Sequence, residues 1–303
     1  MAMTVRESLS RGAGSPSVLG FHDKATGSCQ YLVWDEESRD AAVIDLVQEF
    51  DPRGGAVRHR HGEFVLDEIA RRGLRLAWIL DTHPHADHLM DGAWLKARTG
   101  APHAIGEKVV EIARLWEDIY GTPGAFDPAR DFDRLWRDGE TFALGGLTVR
   151  VMLHSGHTLG SVSYVVGDAA FVHDTFMQPD IGTSRADFPG GDSGALYDSL
   201  MSILSLPDET RIFVGHDYGG PDREAPEWES TVAEQRAANK HVGGGVSRED
   251  FIALRDARDA TLPLPHRILQ SLQVNLRGGR LPEPDASGVR AFRYPVGRFP
   301  FFE

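Results

Sequence analysis

The sequence predicts a mixed α/β fold whose chemistry gathers at strand ends, and three features carry that prediction. Short apolar runs of strand length alternate with longer stretches of helical periodicity. Four of these strands each lead into a residue able to hold a metal: His83 with its neighbours, His157, Asp174 and His216. The first group, Thr82-His-Pro-His-Ala-Asp-His88, places His83, His85, Asp87 and His88 within six positions. Each imidazole on so short a loop needs its own hydrogen-bond partner, which makes a purely structural role hard to sustain.

The elements follow in order. Residues 17–47 read as a β-meander with strands at Val18–Phe21, Gln30–Trp34 and Ala41–Leu46, and Asp51-Pro-Arg-Gly-Gly55 interrupts the pattern. Phe64, Leu66, Ile69 and Ala70 mark a helical face between Glu63 and Arg72. Leu76–Leu80 is a buried strand that delivers the ligand cluster, and helix-compatible sequence follows over Leu89–Arg98. A helix of about fourteen residues starts after Gly106, on the periodicity of Val109, Val110, Ile112, Ala113 and Leu115. Residues 121–139, rich in Gly, Pro, Asp and Arg, read as a surface excursion. Hairpin strands span 141–166, turning at Gly145-Gly146, and Gly167-Asp168 turns the chain toward Asp174. Residues 176–194 form a long aperiodic loop, expected to be a wall of the site because it directly follows Asp174. Ala195–Leu206 is helical and stopped by Pro207, and Arg211–Val214 is the strand that runs into His216. Glu229–Asn239 and Ser247–Asp259 read as helices, the second opened by Ser247 and Asp250 at capping-box spacing. From Leu281 the Pro-rich chain drapes over the surface.

Composition bounds the partners. A formal net charge of −13 over 303 residues argues against nucleic acid, which demands Lys/Arg surfaces. It leaves room for a small anionic substrate at a local positive patch. The one cysteine, Cys29, lies in a strand and reads as a packed core thiol; with no intrachain disulfide available, a reducing cytoplasmic setting is expected. No apolar run reaches membrane-spanning length, so no membrane partner is expected. Residues 1–16 lack a hydrophobic secretion core and read as a flexible tail, leaving 17–303 as a single domain. Within it, residues 221–303 form a helical and Pro-rich extension. A homo-oligomer is compatible with all of this.

The order of the four signatures, Thr82–His88, His157, Asp174 and His216, resembles the metallo-β-lactamase superfamily over most of the chain. Ser184-Arg-Ala-Asp-Phe-Pro-Gly-Gly-Asp192, Gly215-His-Asp-Tyr218, Thr231–Asn239 and Leu269–Asn275 narrow the resemblance to the glutathione-dependent persulfide dioxygenases, including the bacterial β-lactamase hydrolase-like group. The resemblance implies an αββα sandwich of two facing β-halves with helices outside and the C-terminal helices appended. It also implies one Fe(II) per chain held by His83, His157 and Asp174, with His85, Asp87, His88 and His216 as supporting or second-metal residues. Arg185 and Tyr218 match the positions that help hold glutathione. The implied reaction oxidises glutathione persulfide with O2 to sulfite and glutathione.

Residue chemistry alone leaves a rival open. Two histidines and a carboxylate suit a mononuclear Fe(II) with vacant positions, whereas all seven ligands suit one or two Zn(II). The second arrangement is that of a thioester hydrolase of the hydroxyacylglutathione hydrolase type, acting on another glutathione conjugate. The resemblance to the hydrolytic members of the superfamily implies His83, His85 and His157 on one metal and Asp87, His88 and His216 on the other, with Asp174 bridging. A non-catalytic, metal-stabilised protein is the third reading. In many similar chains a glycine precedes the bridging aspartate; here it is His173, expected to point away from the site by strand alternation. His154 reads as structural, His59 and His61 as a solvated loop pair, Thr158 and Ser161 as turn residues, and Asp187 as a brace for the loop or for Arg185.

Overall fold

A computed structural model of the chain describes residues 3–220 and 223–299. The first half runs β1 (Thr4–Ser8), β2 (Ser17–Asp23), β3 (Ser28–Trp34), β4 (Asp40–Ile44), β5 (Val47–Asp51), β6 (Ala56–Arg58), α1 (Arg60–Arg72), β7 (Arg75–Leu80), β8 (Leu89–Met90), α2 (Gly92–Thr99), β9 (His103–Gly106), α3 (Val109–Tyr120), α4 (Pro128–Asp131) and β10 (Arg134–Trp136). The second half runs β11 (Thr141–Leu144), β12 (Leu147–Leu153), β13 (Val162–Val166), β14 (Ala169–His173), α5 (Ser193–Leu204), β15 (Arg211–Val214), β16 (Glu229–Thr231), α6 (Val232–Ala238), α7 (Arg248–Asp259) and α8 (Ile268–Asn275).

Two sheets face each other. One has the order β1-β2-β3-β4-β7-β9-β10 and the other β11-β12-β13-β14-β15-β16, with a small β6-β5-β8 sheet beside the first. Side chains on a strand alternate between faces, and this alternation builds the layers. Tyr31 and Val33 of β3 join Ala42 and Ile44 of β4 in the core shared with Val149, Tyr164, Phe171 and Phe213. Their neighbours Leu32, Trp34, Ala41 and Val43 turn outward to meet Val65 of α1 and Leu95 of α2. On the far side, Leu196, Leu200 and Ile203 of α5 and Phe251 of α7 cover the second sheet. The result is helices, sheet, sheet and helices, as expected. Two buried phenols tie the sheets together: Tyr31 donates to the Val214 carbonyl at 2.5 Å and Tyr164 to the Asp81 carbonyl at 2.9 Å. Among the described residues no helix is long and apolar enough to cross a membrane.

Several expectations change. Residues 4–8 are not tail: all five pair antiparallel with Val18–His22 of β2, and Ser8 bonds Glu229. The break at 51–55 is the turn of the β5–β6 hairpin. The excursion at 121–139 holds α4 and β10, which adds a parallel edge to β9; β10 is too short to show period-two patterning. Leu89 and Met90 pair with β5, so α2 starts only at Gly92. Residues 229–231, expected as helix, form β16, and the capping box that opens α6 is Thr231 with Glu234. Ser247 does cap α7, accepting from the Asp250 N–H, but the Asp250 carboxylate bonds the Ser247 hydroxyl rather than its backbone. His61 is buried in α1 against Gln30, and His59 pairs with Asp91 at 2.7 Å over the Trp94 ring, so neither is a solvated loop residue. The C-terminal extension contains α8, which buries Ile268 and Leu272 against α3.

Candidate metal centre

The four signatures converge at one end of the sandwich, where strands β7, β12, β14 and β15 terminate. The loop after β7 is held from below by Asp45 at the end of β4. Its carboxylate accepts from the Thr82 backbone N–H and hydroxyl, both at 2.8 Å, and lies 3.1 Å from His85 Nε2. Asp45 itself adopts φ +55, a left-handed conformation that aspartate tolerates better than most residues. Thr82 Oγ1 in turn lies 3.0 Å from His83 Nδ1, which leaves His83 Nε2 facing the site.

Three donors form one compact group. Asp174 Oδ2 lies 3.8 Å from His83 Nε2 and 3.5 Å from His157 Nε2. His157 Nδ1 donates to the Arg185 carbonyl at 2.8 Å, which fixes the tautomer and presents Nε2 as a bare lone pair. A second group comprises His85, Asp87, His88 and His216. Here the side chains bond one another: His216 donates through Nδ1 to Asp174 at 2.6 Å and through Nε2 to Asp87 at 2.8 Å. The buried Ser28 hydroxyl sits among them, 2.9 Å from His88 Nδ1 and 3.1 Å from His216 Nε2. The His85 ring stands between the groups, its centroid 4.0 Å from that of His83 and 4.1 Å from that of His88.

The electrostatics follow from this burial. Burial, reinforced by neighbouring imidazoles, holds His83 neutral with its pKa far below the usual range and brings His88 down to about 4. Burial works against ionisation of Asp174, but His216 and His157 outweigh it and hold the carboxyl well below the usual range. Burial likewise opposes a charge on His216, yet the flanking Asp174 and Asp87 prevail and raise its pKa well above the usual value. Neutral His83 and His88 beside an ionised Asp174 are the forms a metal binds, whereas His216 holds its proton between two carboxylates. His83 Nε2 and His88 Nε2 are buried without any hydrogen-bond partner, a costly arrangement that a bound cation would relieve. Buried nitrogen and carboxylate donors without a thiolate suit a transition metal such as iron or zinc.

Beside the first group opens a cavity of about 440 Å³, floored by Asp87, His157 and Asp174. The loop after Asp174 forms one wall, through Met177, Ile181, Thr183 and Phe188, as its position predicts. Lys240, His241 and Arg258 add positive charge and a ring to the lining, with Lys240 and His241 hydrogen-bonded to that same loop at Pro179 and Thr183. Among the described residues Lys240 and Arg258 have no ion-pair partner, although the chain as a whole is acidic. Tyr218 lines the mouth, 65% exposed and stacked on the His216 ring at 5.6 Å. Arg185 also lines the cavity, but its guanidinium is already engaged. It donates to Asp187 through Nε and Nη2 at 2.6 and 2.7 Å and to the Pro263 carbonyl at 2.6 Å. Asp187 therefore braces Arg185, as expected of it, and occupies the bidentate fork that Arg185 would otherwise offer to a substrate carboxylate.

His173 departs from expectation. A register shift between Phe171 and His173 and a φ of +43 turn its ring inward, 5.3 Å from the ring of His83. A left-handed residue at a bulge escapes strand alternation, which is why the period-two argument failed. Its Nε2 bonds Thr175 Oγ1 at 2.9 Å, and it belongs to neither donor group. His154 is structural, bonded to Ser163 and Ser202, and Thr158 and Ser161 bond each other in the turn before β13. Sequence reasoning missed Asp45, Ser28, Lys240 and Arg258. Asp45 carried a usable signal, since Ile44-Asp45 repeats the strand-end carboxylate pattern of Asp174.

Comparison with known proteins agrees with this fold. The family profile described as Metallo-beta-lactamase superfamily matches residues 50–216. The beta-lactamase hydrolase-like protein of Xylella fastidiosa (strain Temecula1) is 51% identical over 282 residues, 93% of this chain. The chain spans only 65% of that relative's length. The mitochondrial persulfide dioxygenase ETHE1 of Homo sapiens is 30% identical over 272 residues, covering 88% of this chain and 91% of the human protein. The crystal structure of ETHE1 from Myxococcus xanthus superposes with a TM-score of 0.69 at 28% identity, over 91% of this chain and 100% of that one. Relatives of higher identity than the human protein carry hydrolase-type names.

Proposed function

The chain belongs to the metallo-beta-lactamase superfamily, and from that premise we propose that it is a persulfide dioxygenase, converting glutathione persulfide, O2 and water to sulfite and glutathione at a single Fe(II). The observation that carries this reading is the sorting of the donors. His83, His157 and Asp174 form one compact set of two imidazoles and one carboxylate, while Asp87, His88 and His216 are bonded to one another and to Ser28, with His216 also bonded to the second oxygen of Asp174. Two imidazoles and one carboxylate would leave positions open for reactants on an iron they held, and ferrous iron bound there would supply the electron transfer that O2 chemistry needs.

The protein's own contribution is positioning. Asp45 and Thr82 orient His83, and the Arg185 carbonyl orients His157, so both lone pairs are fixed before any ligand arrives. The cavity has the size of a small-molecule site. Lys240 and Arg258 offer the cations that the carboxylates of a glutathione conjugate need, and Tyr218 offers a phenol at the mouth. Arg185, held by Asp187, shapes the wall behind His157, and its guanidinium lies over the Phe188 ring. His157 packs edge-on to that same ring, which keeps water from one side of the reacting centre.

The second reading, a dinuclear zinc thioester hydrolase, rests on the second group, whose four donors lie close enough to hold another ion. An anaerobic metal count followed by oxygen uptake separates the two. One iron per chain with O2 consumption that depends on glutathione persulfide is the expected result. Two zincs per chain, with S-lactoylglutathione cleaved in the absence of oxygen, would make the protein a hydrolase instead.

A further inference from the structure

The ligand loop is held from outside the segment that matches the family profile. Asn275, the last residue of α8, is completely buried. Its Nδ2 donates to the carbonyls of His85 at 2.7 Å and His88 at 2.9 Å, and its Oδ1 accepts from the Met90 N–H at 2.8 Å. One side chain thus satisfies three backbone groups within six residues of the loop, across a separation of 185 to 190 positions. Loop residues 82–88 form no ladder of their own, so their carbonyls depend on such partners. The geometry uses both amide donors and the amide oxygen together. Aspartate offers no donor, and glutamine displaces the amide by a methylene.

The chain after α8 keeps this contact close. The Gly278 carbonyl accepts from the Ala93 N–H at 3.0 Å, and a Cβ at Gly279 would stand 2.5 Å from the Met90 carbonyl oxygen. Leu272, one turn before Asn275, anchors the helix through the apolar cluster that it shares with α3, Ala86 and Met90. The hydrogen bonds to the loop backbone come from Asn275, so apolar anchoring and polar clamping fall to different side chains of one helix.

We propose that Asn275 is a positioning residue for the metal centre: it sets the backbone of the ligand loop and so determines how tightly, and in what geometry, the loop histidines hold a metal. The inference rests on the reading of those histidines as ligands. The test compares wild type with Asn275→Asp, Asn275→Gln and the anchoring control Leu272→Ala, each first shown to be folded by circular dichroism. Metal-free proteins are titrated with cobalt(II) and zinc(II), and the cobalt absorption spectrum is recorded. Asn275→Asp is expected to weaken metal binding about 10- to 100-fold and to alter the cobalt spectrum. Asn275→Gln is expected to fold and fall between it and wild type, and Leu272→Ala to lose thermal stability while keeping affinity and spectrum. Asparagine variants that match wild type, or that change no more than Leu272→Ala does, would overturn the inference. A wild type that binds neither metal would instead overturn the ligand assignment on which it stands.

Discussion

His154 offers a quantitative test of the fold around the site, because burial is the leading control on its protonation. The ring lies between β12 and the turn that carries His157, with Nδ1 2.7 Å from Ser163 Oγ and Nε2 3.2 Å from Ser202 Oγ. Burial pushes its pKa down to about 4, with Asp138 opposing the shift and Arg150 assisting it. In the unfolded chain the same imidazole titrates near 6.5. Between these values the unfolded state takes up a proton that the folded state refuses. The stability held by neutral His154 is therefore complete above about pH 6.5 and is lost as pH falls toward 4. The gap corresponds to roughly 3 kcal/mol, a large share of a typical domain's margin. The assay is urea unfolding of the metal-free wild type and of His154→Gln, which keeps a polar group but cannot titrate, at a series of pH values across that window. Wild type should lose about 3 kcal/mol more than the variant on acidification. His83 and His88 titrate in both proteins, so their contribution cancels in the difference. Two stability curves that stay parallel across the window would refute the argument that burial governs this ring.

Other consequences can be checked directly. Asp174→Asn or His157→Ala removes one of three closely set donors, and metal per chain measured by elemental analysis should fall well below wild type; unchanged content would contradict the ligand assignment. Lys240→Glu and Arg258→Glu should each raise KM for a glutathione conjugate about tenfold, as expected for losing one charge-assisted bond, with little change in kcat. Unchanged KM would remove these side chains from substrate recognition. Gly156→Ala should destabilise the fold by about 1–3 kcal/mol in thermal unfolding. The new Cβ would stand 2.3 Å from the Leu196 backbone, at φ +135. An unaffected Tm would mean the His157 turn is looser than its contacts imply.

The candidate donors were legible in the sequence because metal binding needs particular side chains at strand ends, and both requirements are local. His83, His157, Asp174 and His216 each follow an apolar run, so residue type and position pointed to them as candidates, and the fold brings them to one end of the sandwich. The β-meander, α1, α3 and α7 were legible for a similar reason: amphipathic period is written along each element. The misses share a cause. β1, β10 and β16 are short edge strands whose identity lies in their pairing partners, and the α8 clamp lies nearly two hundred residues from the loop it holds. The inward turn of His173 depends on a bulge, which alternation cannot foresee.

What the sequence determined by itself was therefore the set of groups able to bind a metal and the class of scaffold that carries them. Only the tertiary structure decided how those groups divide. It turned Arg185 to Asp187, joined His216 to both Asp87 and Asp174, and brought Lys240 and Arg258 to the cavity. The physical reason is that donor chemistry belongs to a single residue, whereas the choice of partner depends on distances that exist only once separate segments are packed together.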